Sequence, residues 1–391
     1  MIPALFALAT APAAVEVPFE IADDAIVVAI EVNGKSARLM FDTGFSGAIV
    51  IGDTVNLGKS TGTVQLRDFV GSFEAKTTKI TSLKIGGHPM DATELEAVQV
   101  PGGRYTESYG THVDGVLGFQ PVSRGVFEIN FERSVFIFHP ATEDITQRKP
   151  DGKRTFLSKM IPRGQDSIEL GCELENGEKM YLALDTGNAF YATTHKDVLE
   201  RVGLWKDGRK PDFMGLSMVA SGPVGSFKME MPSMHIFGVP VEKSVWSIID
   251  LPSSSAEHDG TVGFGFLKHM NVTIDTKRRR VWMENFSGRF ADPVLGGIGI
   301  AAFHDPGRGR VRIASVTPGS PAASAGVQRG DDLLAIDGEE VVNLGWRELE
   351  RRLSGEEGTK VEIAYSRAGE LRRVELQRAM LINRAGKPTS P

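Results

Sequence analysis

The sequence predicts a mainly β chain in which two copies of one β-rich lobe are followed by a smaller α+β unit, and three observations predict it. The tripeptide Asp-Thr-Gly occurs twice, at Asp42 to Gly44 and at Asp185 to Gly187, each time at the end of an apolar alternating run. The stretches around the two tripeptides repeat in the same order. After residue 290 the pattern gives way to a glycine-rich loop, a helix-like WRELERRL and two alternating strands.

The first fourteen residues, MIPALFALATAPAA, are apolar and end in the small-residue pattern Ala11, Pro12, Ala13, as a secretory signal does. They lack the basic residues that usually open one. Residues 1–14 are therefore expected to be a signal peptide directing export to a bacterial periplasm or cell envelope; if the segment has no such role, the chain is cytoplasmic. Nowhere else do 18 apolar residues run together, so no transmembrane segment is expected in the mature chain.

The 391 residues are 41% hydrophobic and 24% charged, which is ample for more than one core. A net charge of −6 argues against a broad nucleic-acid surface, and the basic run KRRR at 277–280 reads as a solvated turn between two strands. Cys172 is the only cysteine, so neither an intrachain disulfide nor a cysteine cage for zinc can form, and its place in IELGCELENG suggests a buried strand thiol. Eight scattered histidines contain no HExxH pair, so neither a metal nor another cofactor is expected.

In the first copy IVVAIEVNGKSARLMFDTG reads as strand, Asn-Gly turn and strand, and in the second SIELGCELENGEKMYLALDTG reads the same way. Asn-Gly tolerates the positive φ of a type I′ turn, so both stretches are expected to be tight hairpins. Downstream, VGSF recurs at 70–73 and 224–227, and VDGVLGF at 113–119 answers HDGTVGF at 258–264. FEINFERSVFIF then matches NVTIDTKRRRVWM, and the ordered matches mean a duplicated lobe. A single Asp-Thr-Gly is a reasonable turn, but duplication can bring two equivalent carboxylates together across a pseudo-two-fold axis.

If Asp42 and Asp185 meet, they cannot both ionise comfortably and will share a proton, one serving as base and the other as acid toward a water held between them. Gly44 and Gly187 would let backbone N–H groups approach the carboxylates, and the Thr43 and Thr186 hydroxyls could reach across to the opposite copy. No GxSxG elbow is present, and the one cysteine has no histidine motif beside it.

On these residues the chain resembles the aspartic proteases of the pepsin and retropepsin type, with both lobes on one polypeptide. Phe41 to Gly44 with Val116, Leu117 and Gly118, and Leu184 to Gly187 with Thr261, Val262 and Gly263, carry the resemblance over about residues 15–290. It implies two pseudo-symmetric β-barrel lobes, 15–145 and 150–290, with Asp42 and Asp185 catalytic and Thr43, Gly44, Thr186 and Gly187 supporting them. Phe45 and Asn188 follow the tripeptides where the family usually has Ser, Thr or Ala, and Ser46 is a candidate replacement for the missing hydroxyl. The hairpin TVQLRDFVGSFEAK offers Phe69 and Phe73 as flap candidates in place of the family's tyrosine.

The stretch PGSPAASAGVQRGDDLLAIDGEEV resembles a PDZ domain covering 292–380, with Gly297, Ile298, Gly299 and Ile300 as its carboxylate-binding loop. GGIGI does not fit GxGxxG and no βαβ pattern follows, so a dinucleotide site is not expected. The resemblance implies that peptide C-termini bind between this loop and a helix around 346–353. Residues 381–391 are expected to be a disordered tail. The expectation is a monomeric aspartic endopeptidase acting on proteins or peptides, with the PDZ unit recruiting or gating substrates. The rival reading is a catalytically silent peptide-binding protein on the same scaffold.

Overall fold

The computed structural model describes residues 13–67, 72–101, 111–161, 168–219, 222–253, 258–305 and 309–385. The expected signal peptide lies almost wholly outside these residues. Apolar alternation produces β structure throughout, and two ten-stranded sheets carry the duplication. Along the first, strands 62–67, 72–79, 96–100, 49–52, 115–118, 35–42, 25–32, 83–85 and 88–90 follow one another. Along the second, 215–219, 222–231, 244–249, 192–195, 260–262, 179–184, 169–174, 234–236 and 239–241 stand in the corresponding places.

In each copy a strand running into Asp-Thr-Gly lies parallel to the strand of the Asp-Gly motif. Lys35–Asp42 pairs with Gly115–Gly118, placing Gly118 opposite Asp42, and Lys179–Leu184 pairs with Gly260–Val262. Glycine is needed in these second strands because the backbone passes close by: a Cβ on Gly115 would overlap the Val50 carbonyl, and one on Gly260 the Thr193 carbonyl.

A six-stranded antiparallel sheet joins the copies. At its centre Val126–Asn130 of the first pairs with Met270–Asp275 of the second, with Ile129 opposite Val272. Phe41, Phe127 and Phe136 pack edge to face in one hydrophobic core that is continuous across both copies. The KRRR stretch is the turn between Met270–Asp275 and Arg280–Asn285, where Arg278 pairs with Asp275 at 2.9 Å.

The two expected hairpins differ. Asn33 and Gly34 both take positive φ, at 49° and 73°, as the tight two-residue turn requires. In the second copy only Gly177 does, at 86°, and Gly177 N–H donates to Leu174 O at 2.9 Å. The second turn is thus a longer loop ending in a left-handed glycine, because Glu175 adds a residue that Asn176-Gly177 alone would not need.

The C-terminal unit has its own core, including Ile298, Ile313, Ile336, Leu349 and Ile363. Its sheet runs in the order Ile300–Asp305, Arg310–Val316, Asp332–Ile336, Lys360–Arg367, Glu370–Gln377, leaving Ile300–Asp305 at one edge. Helix Trp346–Leu353 lies beside that edge; Leu349 and Leu353, one turn apart, are its buried stripe, and Glu348 pairs with Arg352 at 2.7 Å on the other side.

The tail expected to be disordered from residue 381 is ordered through 385. Asn383–Arg384 forms a parallel strand against Met229 and Glu230 of the second ten-stranded sheet. Asn383 is wholly buried: its side-chain oxygen accepts from the Asp212 N–H at 2.6 Å, and its amide donates to Phe213 O and Lys228 O, both at 3.1 Å. A polar side chain satisfied on both ends outweighs the ordering entropy of a short tail.

Candidate active site

Asp42 and Asp185 are brought side by side, and the threonines between them make the joint. Thr43 Oγ1 donates to Leu184 O at 2.7 Å while accepting from the Thr186 N–H at 3.0 Å. Thr186 Oγ1 repeats this in the other direction, donating to Phe41 O at 2.8 Å and accepting from the Thr43 N–H at 3.1 Å. Both threonines are buried, so each hydroxyl depends on the opposite copy for its partners.

The glycines come next to the carboxylates from the opposite copy. A Cβ on Gly44 would stand 2.6 Å from Asp185 Cγ, and one on Gly187 would stand 2.5 Å from Asp42 Cγ. Within each copy the N–H groups turn back onto the preceding aspartate. Gly44 and Phe45 donate to Asp42 Oδ1 at 2.8 and 3.2 Å, and Gly187 and Asn188 donate to Asp185 Oδ1 at 2.9 and 3.0 Å.

Burial pushes both carboxyls above the usual aspartate range. For Asp42, hydrogen bonds from Asp185 and from the Gly44, Phe45 and Gly187 backbones pull part of the way back. For Asp185, burial is reinforced by the negative charge of Asp42 and by its hydrogen bond to it, so its pKa is raised well above the ordinary value. Raised together, the two carboxyls titrate as one coupled pair. Such a pair can take a proton from water with one member and give one with the other.

Asn188 makes ties that its place after Asp-Thr-Gly did not announce. Its amide donates to Thr193 Oγ1 at 3.0 Å and Thr261 Oγ1 at 2.7 Å, and its oxygen accepts from the Phe190 N–H at 3.0 Å. Phe45 instead folds its ring over Gly47 and Gly118. Ser46 is exposed, and the Gly44 and Phe45 backbone N–H groups are the donors to Asp42 Oδ1. Of the flap candidates, Phe69 lies outside the described residues and Phe73 sits in strand Ser72–Lys79 opposite Leu66. Cys172 is buried in its strand, and burial pushes its thiol up to about 12.

The glycine-rich loop of the C-terminal unit is more heavily bonded than expected. Gly297 exchanges two backbone hydrogen bonds with Ala379, both at 2.9 Å, so its N–H closes the fold and is a correction to its place in a carboxylate-binding loop. Ile298 is in the core, and Gly299 takes φ +83° against Ser320, where a side chain would be strained and would overlap. A cavity of about 170 Å³ opens beside Gly299 and Ile300, with Leu349 and Leu353 of the helix on one side. Strand Gly215–Val219 of the second sheet, Leu381 of the tail and Phe190 complete its wall.

Residues 312–367 match the PDZ domain family. They form a PDZ domain. The chain is also similar, over 69 residues at 35% identity, to a carboxyl-terminal-processing protease of Picosynechococcus sp., a match covering 18% of this chain and 17% of that one. It is 34% identical over 96 residues to the carboxy-terminal processing protease CtpA of Bacillus subtilis, covering 25% of this chain and 19% of the other. A solved photosystem II D1 C-terminal processing protease aligns at 30% identity over 22% of this chain and 23% of its own, with a TM-score of 0.21. The chain thus spans less than a fifth of the length of these curated relatives. The PDZ domain contacts both ten-stranded sheets: Arg351 pairs with Asp23 at 2.8 Å, and Lys228 with Glu350 at 3.5 Å. Residues Asn188, Phe190, Arg347 and Asn383 carried no motif, and only the departure after the second Asp-Thr-Gly hinted at the first of them.

Proposed function

We propose that the chain is an aspartic endopeptidase of the pepsin and retropepsin type, with the two ten-stranded sheets as its lobes and the PDZ domain recruiting or gating protein substrates. The observation that carries this reading is the reciprocal joint at Asp42-Thr43-Gly44 and Asp185-Thr186-Gly187, which sets two desolvated carboxyls together at the meeting of the copies. A turn kept only for structure would not require a buried pair of like charges, which is costly to hold.

Asp42 takes a proton from a water lying between the carboxyls, and the water oxygen attacks the peptide carbonyl. Asp185 gives its proton to the developing oxyanion. As the tetrahedral intermediate collapses, the C–N bond breaks, Asp42 gives its proton to the leaving nitrogen, and Asp185 takes one from a diol hydroxyl that becomes part of the product carboxyl, so the pair is again singly protonated. The raised pKa of Asp185 suits the acid, and N–H donors on Asp42 suit the base.

The relatives named for carboxyl-terminal processing support a peptidase that carries a PDZ domain. Because they share less than a fifth of their length with this chain, the chemistry is argued from the dyad alone. The test is incubation of residues 15–391 with a diverse peptide mixture from about pH 3 to pH 8, a span that brackets a carboxylate pair, with products read by mass spectrometry. Cleavage by the wild type and none by Asp42→Asn or Asp185→Asn is the expected result. Full cleavage by either variant would remove the dyad mechanism, and no cleavage by folded wild type at any pH would leave the binding-protein reading.

A further inference from the structure

We propose that helix Trp346–Leu353 of the PDZ domain ties its groove to the second Asp-Thr-Gly loop, and that Arg347 is the positioning residue that carries the tie. The consequence for catalysis rests on the peptidase reading above; the tie itself does not. The Arg347 guanidinium lies over the Phe190 ring, 5.4 Å from its centroid. Phe190 is five residues beyond Asp185, and its N–H is held by the Asn188 side chain. Asn188 in turn donates its backbone N–H to Asp185. The chain of contacts from the PDZ helix to the acid carboxyl is therefore Arg347, Phe190, Asn188, Asp185.

Arg347 is itself firmly placed. Its side chain is only 9% exposed, it bonds Glu350 on the next turn at 2.8 Å, and it lies 3.8 Å from Asp24 of the first copy. Burial works against the Glu350 charge, but Lys228 and Arg347 hold its carboxyl below the usual range, so the ion pair persists. One cation thus touches the PDZ helix, the first copy and the catalytic loop of the second.

The cavity gives this tie something to report. Phe190, Leu349, Glu350 and Leu353 all line it, as do Gly299 and Ile300. Strands Gly215–Val219 and Ile300–Asp305 come within 8 Å of each other across it, whereas a strand inserted between two others needs about 9.6 Å, twice the usual spacing. A peptide that adds to the Ile300–Asp305 edge therefore has to move the helix, the opposing strand or both. Moving the helix moves Arg347 against Phe190.

The test is hydrogen exchange by mass spectrometry on residues 15–391, following the segment 185–192, which needs no activity. Arg347→Ala should speed exchange there about five- to tenfold, the loss of one desolvated cation–aromatic contact, and Arg347→Lys should restore most of the protection. Arg351→Ala removes the neighbouring ion pair to Asp23 without touching Phe190 and should leave the segment unchanged. If Arg347→Ala does not fold, Phe190→Leu removes the same contact from the other side. On a cleaved peptide, Arg347→Ala should lower kcat with little change in KM. Equal exchange in Arg347→Ala and wild type, or equal effects of Arg347→Ala and Arg351→Ala, overturns the tie. Loss of protection in Arg347→Ala, together with a wild type that cleaves nothing, keeps the tie and removes the peptidase.

Discussion

The two Asp-Thr-Gly loops do the same thing to their aspartates and are held in place by different means. The first is packed: Phe45 lays its ring over Gly47 and Gly118 beside the small cluster that includes Met40, Val50 and Val116. The second is bonded: Asn188 reaches Thr193 and Thr261, and Phe190 meets Arg347 of the PDZ domain. The hairpins differ in the same sense. Gly62–Arg67 is a sheet edge whose residues 62 to 65 are exposed, whereas the strand Gly222–Met231 is pinned by Asn383–Arg384. Duplication makes the dyad symmetric, and attaching one further domain to one copy makes its support asymmetric. Among the described residues, no added strand pairs with Gly62–Arg67 or Ser72–Lys79.

If the symmetry of the dyad is functional, Asp42→Asn and Asp185→Asn lose peptide hydrolysis alike, by about a thousandfold or more, despite their different loops. Stability should also respond to pH. The raised pKa of Asp185 means that the folded state binds its proton more tightly than the unfolded one. That contribution is fully present below the ordinary carboxylate range and is lost as pH rises through the raised value. Asp185→Asn should therefore melt higher than wild type near pH 7, with the gap closing toward pH 3; a constant gap in thermal melts would contradict a raised carboxyl at this position. Gly44→Ala and Gly187→Ala come next. Each puts a Cβ within about 2.6 Å of the opposite carboxyl carbon, so both should cut kcat about a hundredfold by parting the pair, and unequal losses would show that one copy yields more easily.

The duplication was legible because both copies keep residues that a backbone approach or a buried hydroxyl demands: Gly115 and Gly260 against a carbonyl, Thr43 and Thr186 against each other's strands. Those constraints are local and leave a motif. The supports are not, since Asn188, Phe190 and Arg347 meet only after chain segments distant in sequence have packed, and no spacing rule connects 190 with 347. Asn383 was hidden for another reason. A polar LINRAGKPTSP reads as tail, and the strand Asn383–Arg384 within it depends on one amide finding three backbone partners on a sheet that its own neighbours do not reveal. The tight turn expected at Asn176 failed on the single extra residue Glu175.

Unfolding by denaturant should separate the two kinds of support. Phe45→Ala removes a partly buried ring and should cost about 2 to 3 kcal/mol, with Phe45→Leu recovering most of it, as packing predicts. Asn188→Ala leaves two threonine hydroxyls and the Phe190 N–H without their partner and should cost about 1 to 3 kcal/mol, with Asn188→Asp recovering little because it sets a third carboxyl beside the buried pair. Recovery by the apolar substitution at 188, or by a polar one at 45, would erase the distinction between a packed and a bonded loop.

The tail strand offers the mildest and most local probe. Asn383→Ala leaves the Asp212 N–H and the carbonyls of Phe213 and Lys228 to find water in a buried place, for about 1 to 2 kcal/mol. The loss should not be spread over the molecule. Hydrogen exchange should quicken in 222–231 and 378–385 and stay as it was in 72–79, since among the described residues the first hairpin has no counterpart of this strand. After the change the two hairpins should exchange at more nearly equal rates. If 222–231 keeps its protection without Asn383, the difference between the hairpins arises from the contact with strand Ile300–Asp305 instead, and the asymmetry belongs to the PDZ domain itself and not to the chain that leaves it.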